Sequence, residues 1–201
     1  MLEILTVCTG NICRSPLAAQ LLATRLADRD VVATSAGTHA REGAPMTPEA
    51  AQLAIERGVP VAATSAHSAR YLLPQHVQRP DLVLAMAREH RRAIVELDPT
   101  RGRSTFTARE FARLSADVPN EELRVAAATG GDDDRARFAA ALGVIASRRG
   151  VTLPPASPDD DDIIDPIGRS AATYARSAEE LAPGINAVER VVRLVLGRGV
   201  G

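Results

Sequence analysis

An apolar run, Ile4-Leu5-Thr6-Val7, leads into Cys8-Thr9-Gly10-Asn11-Ile12-Cys13-Arg14-Ser15-Pro16, and a helical pattern leads out from Pro16. Five residues separate the Cys8 thiol from the Arg14 guanidinium. Strand, short loop and helix in that order predict a loop that closes around a phosphate. Arg14 brings a planar fork of donors that matches two phosphoryl oxygens. The backbone N–H groups of so tight a loop can converge as an anion-binding nest. The helix that follows turns its positive end to the same point. A thiol held there reacts as its thiolate. The parts together predict attack by Cys8 on a bound phosphate ester.

Outward from this stretch, apolar strands alternate with helical patterns. Leu2 to Val7 reads as a buried strand and Pro16 to Asp28 as an amphipathic helix, with Pro16 in its first turn and Ser15 a candidate cap. Val31 to Ala36 is a second strand. Thr47-Pro48-Glu49 opens a helix that runs to Arg57 and stops at Gly58. A short helix is expected from His67 to Leu73, a third strand from Asp81 to Met86, and a helix from Arg88 to Leu97. Thr105 to Thr107 is a short fourth strand and Ala108 to Leu114 a helix. This alternation predicts an α/β fold, a parallel sheet with helices on both faces, whose ligands bind at the carboxyl ends of the strands. Residues 115–162 read differently. They hold Gly130-Gly131, the acidic runs Asp132 to Asp134 and Asp159 to Asp162, and a Pro-rich stretch around Pro154-Pro155. They are expected to form a partly flexible insertion with one helix, from about Asp134 to Arg149. A final helix is expected from Ser170 to Leu196, broken or kinked at Pro183-Gly184.

Composition narrows the classes. The 201 residues suffice for one domain with a full core. A net charge of −1 provides no field for nucleic acid or an acidic membrane. All 24 basic residues are Arg. Aromatics make up only 2%, so the core must be built from Leu, Val, Ile and Ala. No apolar run reaches the roughly twenty residues of a membrane span, and no signal peptide is evident. Two cysteines so close together make no secreted disulfide scaffold. The expectation is a cytoplasmic protein with reduced thiols, its oligomeric state left open.

The stretch Val7 to Pro16 closely resembles the signature of low-molecular-weight protein tyrosine phosphatases: Cys, five residues, Arg, Ser or Thr, then Pro, close to the N-terminus and after the first strand. Gly10, Asn11, Ile12 and Cys13 match inside the loop. Ser35-Ala36-Gly37-Thr38, His67-Ser68-Ala69-Arg70, Asp81 to Met86 and Asp165-Pro166 follow in the family's order. The resemblance spans the chain apart from about 115–162, a segment longer than the family's usual connection. It implies a single domain with a four-stranded parallel sheet in a Rossmann-like three-layer arrangement. It also implies hydrolysis of phosphate monoesters, protein phosphotyrosine first among them, through a phospho-cysteine. No cofactor is implied. No metal is needed, because Arg14 and the loop amides neutralise the phosphate, and no Cys/His cluster with ligand spacing is present.

Roles follow from the match. Cys8 would be the nucleophile and Arg14 the holder of the equatorial oxygens, with Thr9, Gly10, Asn11, Ile12, Cys13 and Ser15 around the phosphate. Ser15 either donates to the Cys8 sulfur and helps it leave or caps the helix; both can hold. Asn11 tolerates left-handed backbone and would keep the loop in shape. His67 would back Asn11, or else stand as a capping, solvated histidine. Asp165-Pro166 alone reads as a turn. Its place before the final helix makes Asp165 the general acid that protonates the leaving oxygen and then activates water. The nearby run Asp159 to Asp162 reads as a solvated loop that weakens anion attraction. Cys13 would form a protective disulfide with Cys8, so that peroxide inactivation is reversed by thiol, or is a packed thiol.

Three departures bear on substrate. Ile167 and Gly168 stand where many members carry aromatics, leaving Ile167 as one apolar wall. Arg41, in His39-Ala40-Arg41-Glu42-Gly43, replaces an aromatic or large apolar wall and would favour acidic flanks or a second anion. Ala87 stands where some members have Asp. Two other functions compete. Arsenate reductases of similar fold need a downstream cysteine pair, absent after Cys13, which leaves only a version using a small thiol cofactor; Asp165 argues against it. A module that binds phosphoproteins without turnover is opposed by the intact set Cys8, Arg14 and Asp165. Phosphotyrosine, phosphoarginine and small phosphorylated metabolites all remain open as substrates.

Overall fold

The computed structural model describes residues 1–196. Its sheet holds β1 (Leu2–Cys8), β2 (Val31–Gly37), β3 (Leu82–Ala85) and β4 (Thr105–Thr107), all parallel and ordered β2-β1-β3-β4. Side chains alternate across β1. Leu2 and Ile4 join Leu82, Leu84 and Phe106 in the larger core, while Leu5 and Val7 join Val83, Ala85 and Ile94 on the other face. Both faces being covered is why these strands read as continuous apolar runs. The order reverses between β1 and β3, and there the carboxyl ends of the strands open the crevice that α/β sheets use for ligands. Cys8 ends β1 at this point, beside Met86, whose N–H donates to Val7 O at 2.8 Å.

The helices α1 (Arg14–Arg25), α6 (Ala108–Ala116), α8 (Asp134–Ser147) and α9 (Ala171–Val195) contribute to the larger core. The helices α4 (Pro74–Gln78) and α5 (Arg88–Leu97) cover the opposite face through Val77 and Ile94. The helix α2 (Pro48–Glu56) starts where expected, its first turn capped by the Thr47 hydroxyl accepting from Ala50 N–H at 3.3 Å. It is followed by the short α3 (Val61–Ser65).

The structure corrects several expectations. Residues 67–73 form no helix. Gly37 N–H donates to Arg70 O at 3.0 Å, and Leu72 N–H donates to Gly37 O at 2.8 Å. The backbone groups a helix would need are thus committed to the end of β2. Residues 115–162 hold two α-helices, α7 (Asn120–Ala128) and α8, rather than one, and a 3-10 turn over Pro158–Asp161. Leu123, Ala127, Phe138, Ala141, Leu142 and Ile145 of that segment are all buried in the larger core. Beyond α8, Arg149 reaches back to Glu110 at 2.7 Å and lies 4.1 Å over the Phe106 ring. The final helix runs unbroken through Pro183, and Gly184 serves packing: a Cβ there would lie 2.7 Å from Ala108 O at the start of α6. Among the described residues no helix is long and apolar enough to cross a membrane.

Candidate active site

The loop between β1 and α1 is turned inside out with respect to its peptide groups. Its carbonyls face the protein: Cys8 O accepts from Thr38 N–H, Thr9 O from His39 N–H and Ile12 O from Thr47 N–H, each at 2.9 Å, and Cys13 O accepts from Leu17 N–H at 3.1 Å. Asn11 O accepts from His67 Nε2 at 2.7 Å. The N–H groups of Gly10, Asn11, Ile12, Cys13 and Arg14 have no acceptor among the described residues. Backbone donors in a folded protein are almost all paired, so an unpaired row at a helix N-terminus is a seat for an anion.

Asn11 gives the loop its shape. Its φ of 55° lies in the left-handed region, which Asn tolerates. Its side chain is buried and fully used. The amide donates to Ser15 Oγ at 3.0 Å and Ser35 Oγ at 2.8 Å, and Oδ1 accepts from Arg70 N–H at 2.9 Å. His67 donates to the Asn11 carbonyl, and its burial lowers its affinity for a proton. Ser15 does not cap α1, which begins at Arg14. Its hydroxyl lies 2.9 Å from Cys8 Sγ instead.

Arg14 is 4% exposed. Nη1 donates to Ile163 O at 3.1 Å, and Nη2 meets Asp165 Oδ2 at 2.6 Å. Nε is buried without a partner, an orphan donor on the guanidinium that a phosphoryl oxygen would satisfy. Asp165 Oδ1 accepts from Ile167 N–H at 3.1 Å, an Asx-turn, and Gly168 takes the positive φ of the β-turn closed by Arg169 N–H and Pro166 O. The dipeptide makes the turn read from the sequence, and that turn brings the Asp165 carboxylate to Arg14 across 151 positions of sequence.

Cys13 is buried, its sulfur 3.2 Å from Thr47 Oγ1. Burial pushes its thiol up despite hydrogen bonds from Thr47 and Tyr174. The Tyr174 phenol, also buried, is pushed up to about 12. Both cysteines are free thiols.

Sequence reading missed His90 on α5. It is 1% exposed, with Nε2 2.9 Å from Thr9 Oγ1 and Nδ1 buried without a partner. Burial, with Arg14 next in weight, drives its pKa down to about 4, so it is a neutral imidazole beside the loop at neutral pH. Nothing in the spacing of His90 signals this, because its contact is 81 residues away. Ser35 and Gly37 were visible in the Ser35-Ala36-Gly37-Thr38 match without a role. Arg41 and Ile167 are not drawn into the loop. Arg41 is exposed with no side-chain partner among the described residues, on the segment that Thr38 and His39 tie to the loop, and Ile167 is 44% exposed beside Asp165. The acidic run is solvated only in part, with Asp159 and Asp160 exposed and Asp161 and Asp162 half-buried. Arg88 holds Asp162 at 2.9 Å and also pairs with Asp159, while Arg113 holds Asp161 at 2.8 Å. Among the described residues no group of three or more His, Cys, Asp or Glu converges as a metal ion would require.

Comparison with known proteins adds an independent line. A family model described as low molecular weight phosphotyrosine protein phosphatase matches residues 3–148. A probable low molecular weight protein-tyrosine-phosphatase EpsP of Ralstonia solanacearum is 36% identical over 123 residues, 61% of this chain and 81% of that protein. A protein-arginine-phosphatase of Geobacillus stearothermophilus is 39% identical over 109 residues, 54% of this chain and 70% of that protein. The crystal structure of a low molecular weight protein tyrosine phosphatase from T. tengcongensis superposes with a TM-score of 0.63 at 29% identity, covering 94% of this chain and 97% of that one. Asp165 lies beyond the residues the family model matches, so its place in the site rests on geometry alone.

Proposed function

The chain belongs to the low molecular weight phosphotyrosine protein phosphatase family, and from that premise we propose that Cys8, Arg14 and Asp165 carry out its cysteine-dependent hydrolysis of phosphate monoesters. The observation that carries this is the row of unpaired loop amides together with the orphan Nε of Arg14. They are donors enough for the non-reacting oxygens of a phosphoryl group, with the Cys8 sulfur at the base of the loop.

The phosphate dianion binds the amides of residues 10–14 and the Arg14 fork. The Cys8 thiolate attacks phosphorus in line, and the bond to the leaving oxygen breaks. A phosphoryl oxygen taking over Nη2 of Arg14 releases the Asp165 carboxylate, which takes up a proton from solvent and gives it to the leaving oxygen. The same carboxylate then takes a proton from water, which attacks the phospho-cysteine and expels the thiolate. The Ser15 hydroxyl, 2.9 Å from the sulfur, donates to the thiolate both before attack and on departure. Charge stabilisation comes from preorganised donors, so Arg14 and the loop amides do the work a metal does elsewhere. Asn11 and His67 hold the loop; Cys13 protects Cys8 by disulfide formation under oxidation.

Proteins phosphorylated on tyrosine are the substrate class we favour, with Ile167 as an apolar wall and Arg41 meeting acidic residues near the phosphate. The free thiols suit the reducing cytoplasm. The test compares wild type, Cys8→Ser and Asp165→Asn on an aryl phosphate and on phosphotyrosyl and phosphoarginyl peptides. Cys8→Ser should show no turnover, and Asp165→Asn should lose roughly a hundredfold or more, the scale of general acid catalysis. Unchanged turnover by Cys8→Ser would end the proposal. A preference for the phosphoarginyl peptide would move the substrate class to that of the Geobacillus relative.

A further inference from the structure

The helix α5 begins without a cap of its own. Its N-cap residue is Ala87, where the side chain offers no acceptor. The acceptor comes from another part of the chain: Asp162 Oδ1 takes the Arg88 N–H at 2.7 Å. The Arg88 guanidinium then closes on the same carboxylate, Nε at 3.2 and 3.1 Å from its two oxygens and Nη2 at 2.9 Å from Oδ2, and also pairs with Asp159. Asp162 stands three residues before Asp165. The strand of chain between them is directed at Arg14, with Ile163 N–H on Met86 O at 2.9 Å and Ile163 O on Arg14 Nη1 at 3.1 Å.

Two residues further along α5, His90 meets Thr9 of the nucleophile loop. One helical turn thus holds both halves of the site: Arg88 grips the segment bearing the acid, and His90 grips the loop bearing the nucleophile. We propose that Arg88 and Asp162 are positioning residues, a clamp that uses α5 as a ruler to set Asp165 against the phosphoryl oxygen it protonates. The inference rests on the reading of Asp165 as general acid. The pair is too exposed to serve stability well; side-chain exposures of 44% for Arg88 and 28% for Asp162 put it among surface ion pairs, which contribute little. Its fork geometry and its double use of one carboxylate, as helix cap and as ion-pair partner, fit placement better than support.

Leaving-group dependence separates placement from support. A phenolate as basic as that of tyrosine, with a pKa of about 10, needs the acid's proton. The far less basic 2,4-dinitrophenolate leaves without it. Wild type, Arg88→Gln, Asp162→Asn, the double variant and Asp165→Asn are compared by kcat/KM on phenyl phosphate and on 2,4-dinitrophenyl phosphate. The measure covers only steps up to phenol release, so the later role of Asp165 with water does not enter. Asp162→Asn retains an amide oxygen to cap α5 and loses only the ion pair, which keeps folding out of the result. We expect each clamp variant to lose about tenfold on phenyl phosphate and less than about twofold on the dinitrophenyl ester, part of the larger loss in Asp165→Asn. The double variant should lose no more than either single one, because the pair acts as a unit. Equal losses on both esters, no loss on either, or additive losses overturn the clamp while leaving Asp165 as acid. If Asp165→Asn itself shows no leaving-group dependence, the acid assignment falls and the clamp with it.

Discussion

Replacing Gly37 by Ala tests whether the loop's shape, and not only its chemistry, produces activity. Gly37 ends β2 and touches no reacting atom, and its backbone is not in the left-handed region, so Ala is conformationally allowed. The objection is space. A Cβ there would sit 2.5 Å from Thr9 O, 2.9 Å from Asn11 N and 2.9 Å from Ala40 Cβ. Ordinary contact begins near 3.4 Å, so Thr9 O must recede by about 0.9 Å, the difference between 3.4 and 2.5. Two of the three obstacles are loop backbone, one of them an amide that faces the anion seat, so the displacement falls on the seat. Overpacking of this kind costs about 1–3 kcal/mol, which for a chain of this size lowers Tm by roughly 2–12 °C. Misplacing the oxyanion donors by about 1 Å should lower kcat/KM by about a hundredfold. The assay pairs thermal unfolding with kcat/KM on an aryl phosphate and with inhibition by inorganic phosphate, all at a temperature where the variant stays folded. Activity within about threefold of wild type, in protein whose Tm has fallen as expected, would refute the claim that loop position limits turnover.

Gly184 offers the contrasting case. A Cβ there would lie 2.7 Å from Ala108 O, where α9 crosses α6 away from the loop. Gly184→Ala should cost about 1–3 kcal/mol in urea unfolding and leave kcat/KM unchanged. His90 gives a pH signature. Its pKa is 6.5 unfolded and about 4 folded, so between those values the unfolded chain binds more protons and stability rises with pH. The wild type should lose stability as pH falls from 6.5 toward 4, by on the order of 3 kcal/mol in all from this group. His90→Gln should show a shallower fall, read from urea midpoints at several pH values; an unchanged slope would remove His90 from the account.

What could be read in the chain and what could not divide along the range of the interactions. The path from Ile4 to Pro16 is legible because strand, loop and helix are consecutive, and the loop's partners are its own atoms. The bounds of α5 and β4 matched expectation: Asp98-Pro99 ends the one, and Thr107, which caps α6, ends the other. The stretch from His67 to Leu73 misled for the opposite reason: its hydrogen-bond partners are Asn11 and Gly37, dozens of residues away, and they override a local helical pattern. The run Asp159 to Asp162 looked solvated because Arg88 and Arg113, which neutralise much of it, are remote in sequence. In α7 only Leu123 and Ala127 are buried, a stripe too narrow to mark a helix before its neighbours are known. Ser15 is instructive in another way. Its place in the sequence allowed both a cap and a partner for the Cys8 sulfur; its hydroxyl lies 2.9 Å from that sulfur, and α1 has no side-chain cap.

The contact between Arg14 and Asp165 also orders events in time. The chain is made from its amino end, so the anion seat and its nucleophile leave the ribosome long before the acid does. Native pairing of residues 151 apart is among the slower steps of folding, since the intervening chain must be gathered first. Until residues near Asp165 dock, Arg14 has neither its carboxylate nor the Ile163 carbonyl to steer it. The anion seat is therefore completed no sooner than the acid, since the same late-made segment that carries Asp165 also fixes Arg14.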